Sequence, residues 1–468
     1  MTATETTEPH LKRTLGLIGL TLFGLTYMTA ITVFTTYGFA NLASDGHLPA
    51  SYIAAAVAMI FTALSYAAMV RKYPVAGSAY TYTQQSFGGA VGFLTGWAML
   101  LDYLFIPMIN FMVIGTYMQS RFPEVPWQVF MLIALFGVFA LNAFGIKLIN
   151  RVNAIIITVS VVMVVMFVVL SLQSAGGEEG AATALEPFQG ELGPVFAGAA
   201  ILALSFLGFD AISTLSEEAK NARRDIPRAI VLATLLGGLI FIIVSWAGAM
   251  AYSPDWGAMS EEELDAAGVG AMLSVGGEWF ANFGVAVYVA GAFGSGLTGS
   301  TSVSRILYSM GRDGALPKPF ARIWTKYGTP IVAAAVVSGF ALLGLVIPLL
   351  TVSTMISFGA LAAFSLVNLS VIRTYLFPKG GRTSPPTVGE WLRYGLMPVI
   401  GFLLTGWLWT SLSGATFMYG GIWLVLGVLV LAWSTKGFRR PAPKMDFKEE
   451  APSTENIDAL GTDHPASR

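Results

Sequence analysis

The chain has 468 residues, of which 55% are apolar and 11% charged, and its net charge is −1. A soluble domain carries about 25% charged residues, so this chain has too little charge to coat a water-facing surface of its size. Near-neutrality leaves no basic footprint for nucleic acid, and the absence of cysteine excludes disulfides, thiolate catalysis and Cys-ligated metals. His10, His47 and His464 are the only histidines and fall in tails or a short loop. No metal site, cofactor or enzymatic nucleophile–base pair is therefore expected.

Residues 1–14 form a polar tail. Apolar stretches of about 20 residues, the length of a bilayer-spanning helix, then recur about twelve times. They run near 15–40, 49–70, 88–119, 126–145, 150–173, 194–216, 227–251, 280–307, 330–349, 352–376, 394–412 and 416–435. The first is longer than the ~7–15 residues of a cleavable signal core and reads as a span. It is interrupted by Gly and Thr between Leu15 and Gly38. Both residue types lower helix propensity, and Thr also bonds its own backbone. After the second span, Tyr73, Pro74, Gly77 and Tyr80 read as an inner loop. The third span carries Asp102 beside Tyr103, then Pro107 and Asn110. The sixth places Asp210 beside Gly208 at mid-membrane, where a carboxylate costs at least ~2.5 kcal/mol on insertion scales. Gly294, Ser295 and Thr298 of the eighth span are expected to face the first. A polar tail, 436–468, rich in Pro and Glu, has no apolar period to pack and reads as disordered.

Lys and Arg set the orientation. With the N-terminus in the cytoplasm, 25 of the 26 basic residues fall on the cytoplasmic side and only Arg121 falls outside. Both termini are then cytoplasmic, in a multi-pass protein of the cell (inner) membrane. The outer connections are acidic, with Asp45, Glu124, Asp255, Glu261, Glu262, Glu263, Asp265 and Glu278 among their residues. That is either ordinary loop polarity or a negative entrance that concentrates cations.

The first and sixth spans, both interrupted, stand five apart. That is the spacing of two five-helix halves in an inverted repeat, each half opened by a broken helix. The halves are 15–173 and 194–376, followed by two further spans over 394–435. Non-helical backbone at membrane depth is tolerated where it lines a cavity, and its free amides and carbonyls are ready ligands for a charged solute.

Three segments resemble the amino acid–polyamine–organocation permeases: Lys72–Tyr82 (KYPVAGSAYTY), Gly208–Ala229 (GFDAISTLSEEAKNARRDIPRA) and Ser304–Pro317 (SRILYSMGRDGALP). Within that superfamily, Ser44–Tyr52, Leu101–Asn110 and Phe358–Phe364 are similar to the bacterial putrescine importers. The resemblance implies an all-α membrane protein with a LeuT-like five-plus-five inverted repeat. It also implies a secondary transporter working by alternating access, driven by the proton gradient or the membrane potential, with H+ as the coupling ion. Three positions depart from the pattern. Ala222 and Ala30 stand where Pro is usual, and Ser160 stands near the place where some amino acid permeases carry a coupling lysine.

A four-carbon dication needs an anionic or carbonyl cluster at each end and an apolar or aromatic slot between. Asp210 and Asp102 are the candidate anions. Thr29, Ala30 and Ile31 at the first break and Ser213 and Asn110 nearby are candidate contacts. Tyr27, Tyr103, Phe206, Phe209 and Tyr288 are candidate walls, since cation–π contact contributes roughly 0.5–2 kcal/mol. Glu217 and Glu218 are expected to pair with Lys220, Arg223 and Arg224 at an inner gate. Two other readings stay open: an amino acid importer or exchanger of the same fold, which needs fewer acids, and a non-transporting membrane receptor.

Overall fold

The computed structural model describes residues 15–29, 31–74, 78–144, 149–174, 191–216, 219–312, 317–324, 329–378 and 384–440. Among them the chain is all-helical, with no strand beyond two isolated bridges. Among the described residues, eight helices are long and apolar enough to cross a bilayer. Three more apolar helices are shorter, at Trp127–Ala143, Thr158–Ser174 and Ile331–Leu345. The stretch expected at 394–412 is a short π turn, Leu392–Leu396, running into Met397–Thr410.

The expected first span is three helices: α1 (Leu17–Met28), α2 (Thr32–Thr35) and α3 (Tyr37–Ala43). The chain leaves α1 at Thr29, whose φ of 45 is the left-handed region that a β-branched residue rarely enters. Thr hydroxyls take up nearby carbonyls: Thr29 Oγ1 donates to Thr26 O at 2.9 Å and Thr32 Oγ1 to Met28 O at 3.0 Å. α4 (Leu48–Lys72) follows, then α5 (Ser78–Phe87), α6 (Gly89–Gln119), α7 (Trp127–Phe144) and α8 (Ile149–Ser174).

The sixth span opens with α9 (Leu192–Leu202), which tightens into a 3-10 turn at Ala203–Phe206. It then loses helical form and resumes as a second 3-10 turn at Ala211–Leu215. Thus both expected interruptions are present. α10 (Ala222–Ala251), the short α11 (Glu261–Asp265) and α12 (Ala267–Arg312) follow. α12 starts well before the expected 280 and is kinked at Gly277, whose φ of 66 is not helical. The Gly-rich run before Trp279 hid its first turns from a hydropathy reading. The remaining helices are α13 (Ile331–Ala341), α14 (Leu349–Tyr375), α15 (Val388–Trp391), α16 (Met397–Thr410) and α17 (Gly414–Ser434).

One helix was not anticipated. The loop expected around Tyr73–Tyr80 contains α5, and α5 packs on α6 and α14. Its sequence, SAYTYTQQSF, has no apolar stripe, yet seven of its ten residues are buried. The interrupted segments occupy the middle of the bundle, where α1 packs on α10 and on the Ala211–Leu215 turn, and α14 packs on the Ala203–Phe206 turn.

Candidate functional site

The two breaks meet at Gly208. Its φ is +127, and a Cβ there would stand 2.8 Å from Tyr27 Cβ and 3.0 Å from the amide nitrogen of Met28. Only glycine suits both the conformation and the approach. The freed Gly208 N–H donates to Asp210 Oδ1 at 3.2 Å, and Ser213 Oγ donates to Asp210 O at 2.6 Å. Side chains next to the break thus take up backbone groups that a continuous helix would have paired internally. One turn further along, Lys220 N–H donates to Leu15 O at 2.8 Å, tying the start of the first span to the end of the sixth.

Beside the crossing lies a cavity of about 70 Å³ whose walls include Tyr27, Thr29, Ile31, Asn110, Tyr288 and Ser295. At ~10–15 Å³ per enclosed water this holds about five waters, similar to the roughly six heavy atoms of a short diamine. Asn110 spans it on one side, donating from Nδ2 to Ile106 O at 2.8 Å and to Ser295 Oγ at 3.2 Å. Pro107 sits inside α6 next to this point. It has no N–H for the Tyr103 carbonyl, so that carbonyl loses its partner within the helix.

The α11 side of this cavity is closed by a tight layer. The rings of Tyr288 and Tyr117 meet at a tilt with centroids 4.5 Å apart, Tyr117 Oη donates to Phe34 O at 2.6 Å, and the Tyr288 hydroxyl bonds Thr35 Oγ1. Gly268 lets the start of α12 rest directly on Tyr117 and Phe34. Beyond the layer is a larger cavity of about 680 Å³, bordered by Thr116, Gln119 and Trp127 and by Glu261, Glu262 and Asp265 of α11. α11 is fixed by a capping box: Glu263 N–H donates to Ser260 Oγ at 3.3 Å, and Ser260 N–H donates to Glu263 Oε2 at 2.7 Å.

Asp102 and Asp210 are 4% and 3% exposed. They lie within electrostatic reach of each other, and both act on Tyr27, Tyr66 and Tyr103. Asp102 Oδ1 has no hydrogen-bond partner among the described residues. Neither carboxylate lines the 70 Å³ cavity. Of the residues singled out from the sequence, Tyr27, Thr29, Ile31, Asn110, Tyr288 and Ser295 are therefore gathered around the cavity. Tyr103 is with the carboxylates.

Phe206 and Phe209 are fully buried in packing contacts. Phe206 meets Phe241 edge-on at 5.3 Å, and Phe209 lies 5.5 Å from Tyr66 and 5.1 Å from Phe364. Ser213 is buried against the backbone of its own turn. Arg223 and Arg224 are exposed in the first turn of α10, whereas Ala30, Glu217 and Glu218 lie outside the described residues. Thr35, Tyr117 and Tyr66 were not anticipated. Each is a hydroxyl on an apolar helix, a weak signal in a chain with many such residues.

The chain matches the family model of amino acid permeases over residues 20–439. It is 37% identical over 448 residues to the low-affinity putrescine importer PlaP of Escherichia coli (strain K12), covering 94% of this chain and 98% of that protein. It is 27% identical over 457 residues to the branched-chain amino acid permease BcaP of Bacillus subtilis (strain 168), covering 90% and 93%. It is also 31% identical over 414 residues to the cationic amino acid transporter 4 of Mus musculus, covering 82% of this chain and 63% of that one.

Asp265 supplies a pH test of the α11 cap. Burial, followed by the Glu261 and Glu262 charges, raises its carboxyl to about 7, above the ~3.9 of an unfolded chain. The unfolded chain therefore loses this proton at lower pH than the folded one, so the folded protein is destabilised as pH rises from about 4 through 7. The thermal midpoint of the purified protein should rise when pH is lowered from 8 to 6. Asp265→Asn should raise the midpoint at pH 8 and flatten that dependence. A variant as pH-sensitive as the parent would remove Asp265 from the account.

Proposed function

The chain belongs to the amino acid permease family, and from that premise we propose that its solute is a small organic dication of the putrescine type. At the coarser level it is a multi-pass membrane transporter that imports a polyamine or an amino acid. The observation that carries the finer reading is the pair of buried carboxylates beside the crossing, one with an oxygen that nothing bonds. Neither Asp102 nor Asp210 has a basic partner among the described residues. Two buried acids without a cation are costly, and a bound diamine supplies two ammonium groups. Similarity to a putrescine importer along 94% of the chain supports the same solute class. Similarity to BcaP supports the rival reading, an amino acid whose carboxylate meets the freed amides of the breaks.

The cycle we propose is alternating access over a five-plus-five inverted repeat, 15–173 and 194–376, in which the interrupted segments hold the solute at mid-membrane. Substrate contacts are Asp210, Asp102, Tyr27, Thr29, Ala30, Ile31, Tyr103 and Asn110, with Phe206, Phe209 and Ser213 supporting them. Moving one charge through 100 mV is worth about 2.3 kcal/mol, so a dication gains about 4.6 kcal/mol, roughly a thousandfold accumulation. H+ is proposed as the coupling ion, adding to that gradient.

We assign twelve crossings with both termini cytoplasmic. Arg121 is the basic residue that orientation puts outside, and it is paired with Glu278 at 2.6 Å. A reporter fused after Arg468 should signal cytoplasm, and an extracytoplasmic signal would sink the count.

Asp210→Asn keeps a carbonyl oxygen for the Gly208 N–H and removes only charge. Putrescine uptake in proteoliposomes should fall at least ~10-fold, because losing one partner of a desolvated charge pair costs more than ~1.4 kcal/mol. Normal kinetics at equal expression would refute a substrate role. Asp102→Asn should weaken putrescine uptake much more than competition by 1-aminobutane. If the diamine-to-monoamine ratio stays unchanged, Asp102 does not hold a second ammonium. Neutral amino acids that compete better than diamines in the parent protein would favour the rival reading.

A further inference from the structure

α5 carries hydroxyls into the interior. Ser78, Thr81 and Tyr82 of α5 are 2%, 4% and 0% exposed, and Tyr66 of α4 facing them is 0% exposed. None of the four hydroxyl oxygens has a hydrogen-bond partner in bonding geometry among the described residues. Tyr66 lies beside Ser78, and Tyr82 beside Ser213, close enough to interact but outside bonding geometry. The two tyrosine rings meet edge-on with centroids 5.7 Å apart. Buried hydroxyls are nearly always paired, so hydroxyls held just short of bonding at the edge of the site are available to an incoming donor. The cluster adjoins the site. Asp210 acts electrostatically on both Tyr66 and Tyr82, and α5 packs against the 3-10 turn Ala211–Leu215 that begins next to Asp210.

We propose that Tyr66, Ser78, Thr81 and Tyr82 form a second station for a primary ammonium group, on the opposite side of the carboxylates from the α11 cap. An ammonium has three donors and no acceptor. The Asp210 carboxylate and two tyrosine hydroxyls together supply three acceptors, and the tyrosine faces add attraction for a cation. The four side chains are buried in this conformation, so the station is closed. It forms when α5 shifts, and Ser78 is placed for that movement: its φ of 49 is a strained value for a non-glycine residue at the first position of α5. The solute thus passes from the 70 Å³ cavity to Asp102 and Asp210, and then to the hydroxyls of α5 on its way out. This inference rests on the amine reading of the solute.

The test uses the full chain, purified in detergent for thermal unfolding with and without putrescine, and in proteoliposomes for uptake. The variants are Tyr82→Phe, Tyr66→Phe and Thr81→Val. Removing an unpartnered buried hydroxyl is neutral or stabilising, so the midpoint without putrescine should hold or rise. The putrescine concentration for half-maximal shift and for half-maximal uptake should rise about tenfold, the loss of one hydrogen bond to a charged group. Should Tyr82→Phe unfold, Thr81→Val at the neighbouring hydroxyl gives the same reading. A lowered midpoint with unchanged putrescine response would assign the hydroxyls to the fold or to bridging water and overturn the station. Unchanged values throughout would overturn it as well. A parent protein that responds to amino acids and not to putrescine would instead overturn the amine reading itself.

Discussion

Backbone groups at membrane depth have no water to bond, and the rest of this structure is arranged around that constraint. Two spans stop being helical in the middle of the bundle, and each frees amides and carbonyls. At the first, threonine hydroxyls bond carbonyls of the preceding turn. At the sixth, Asp210 accepts from Gly208 while Ser213 bonds the Asp210 carbonyl. Neither break would hold alone. Gly208, lacking a Cβ, lies against Tyr27 and Met28, so each interrupted segment is walled by the other. The price of interrupting two helices is therefore met locally, and what remains is a mostly apolar pocket with a few hydroxyl and amide groups in its wall.

The two sides of that pocket differ in chemistry. Toward α11 the closure is dense: Tyr117 and Tyr288 are in ring contact and bonded to Phe34 and Thr35, and glycine lets α12 press on them. Toward α5 the packing is aromatic, but the hydroxyls are idle. A layer with unbonded hydroxyls gains hydrogen bonds when water or an ammonium enters.

Much of this arrangement was legible in the sequence, for identifiable reasons. Gly and Thr recurring through the first span marked a helix unable to continue, and Asp210 beside Gly208 marked the second break. Glycine conformation and intramembrane charge are local, and a sequence displays them directly. α5 was hidden because its burial comes from hydroxylic residues that have no apolar period to detect. The start of α12 was hidden by glycines. Phe206 and Phe209 were legible as aromatics near the break but not as packing residues, since the direction of a side chain in a 3-10 turn depends on its partners. The distinction between the small cavity and the carboxylates beside it depends on how α6 runs past its neighbours and on what stands opposite. One strand of sequence holds neither.

The proposed pairing also locates where the membrane potential acts. With both carboxylates ionised, the empty site carries two negative charges, and a bound dication brings it to neutrality. The loaded site then reorients with little net charge, and the field does little work on that step. The empty site returns with its two negative charges moving outward, which an inside-negative potential favours. The total work is the same two charges per cycle, about 4.6 kcal/mol at 100 mV, but it is delivered on the return. Carrying two acids through the bilayer interior is also the slow step by electrostatics, since their desolvation is uncompensated when the solute is absent. A proton carried back by either acid would lighten that load but would move outward, and so would subtract from the drive for import instead of adding to it. A proton taken up outside together with a monocation would instead make the site neutral and couple the two in the same direction. Solute charge and proton direction are consequently one question at this site, and both turn on how many of the two carboxylates remain ionised when the solute is bound.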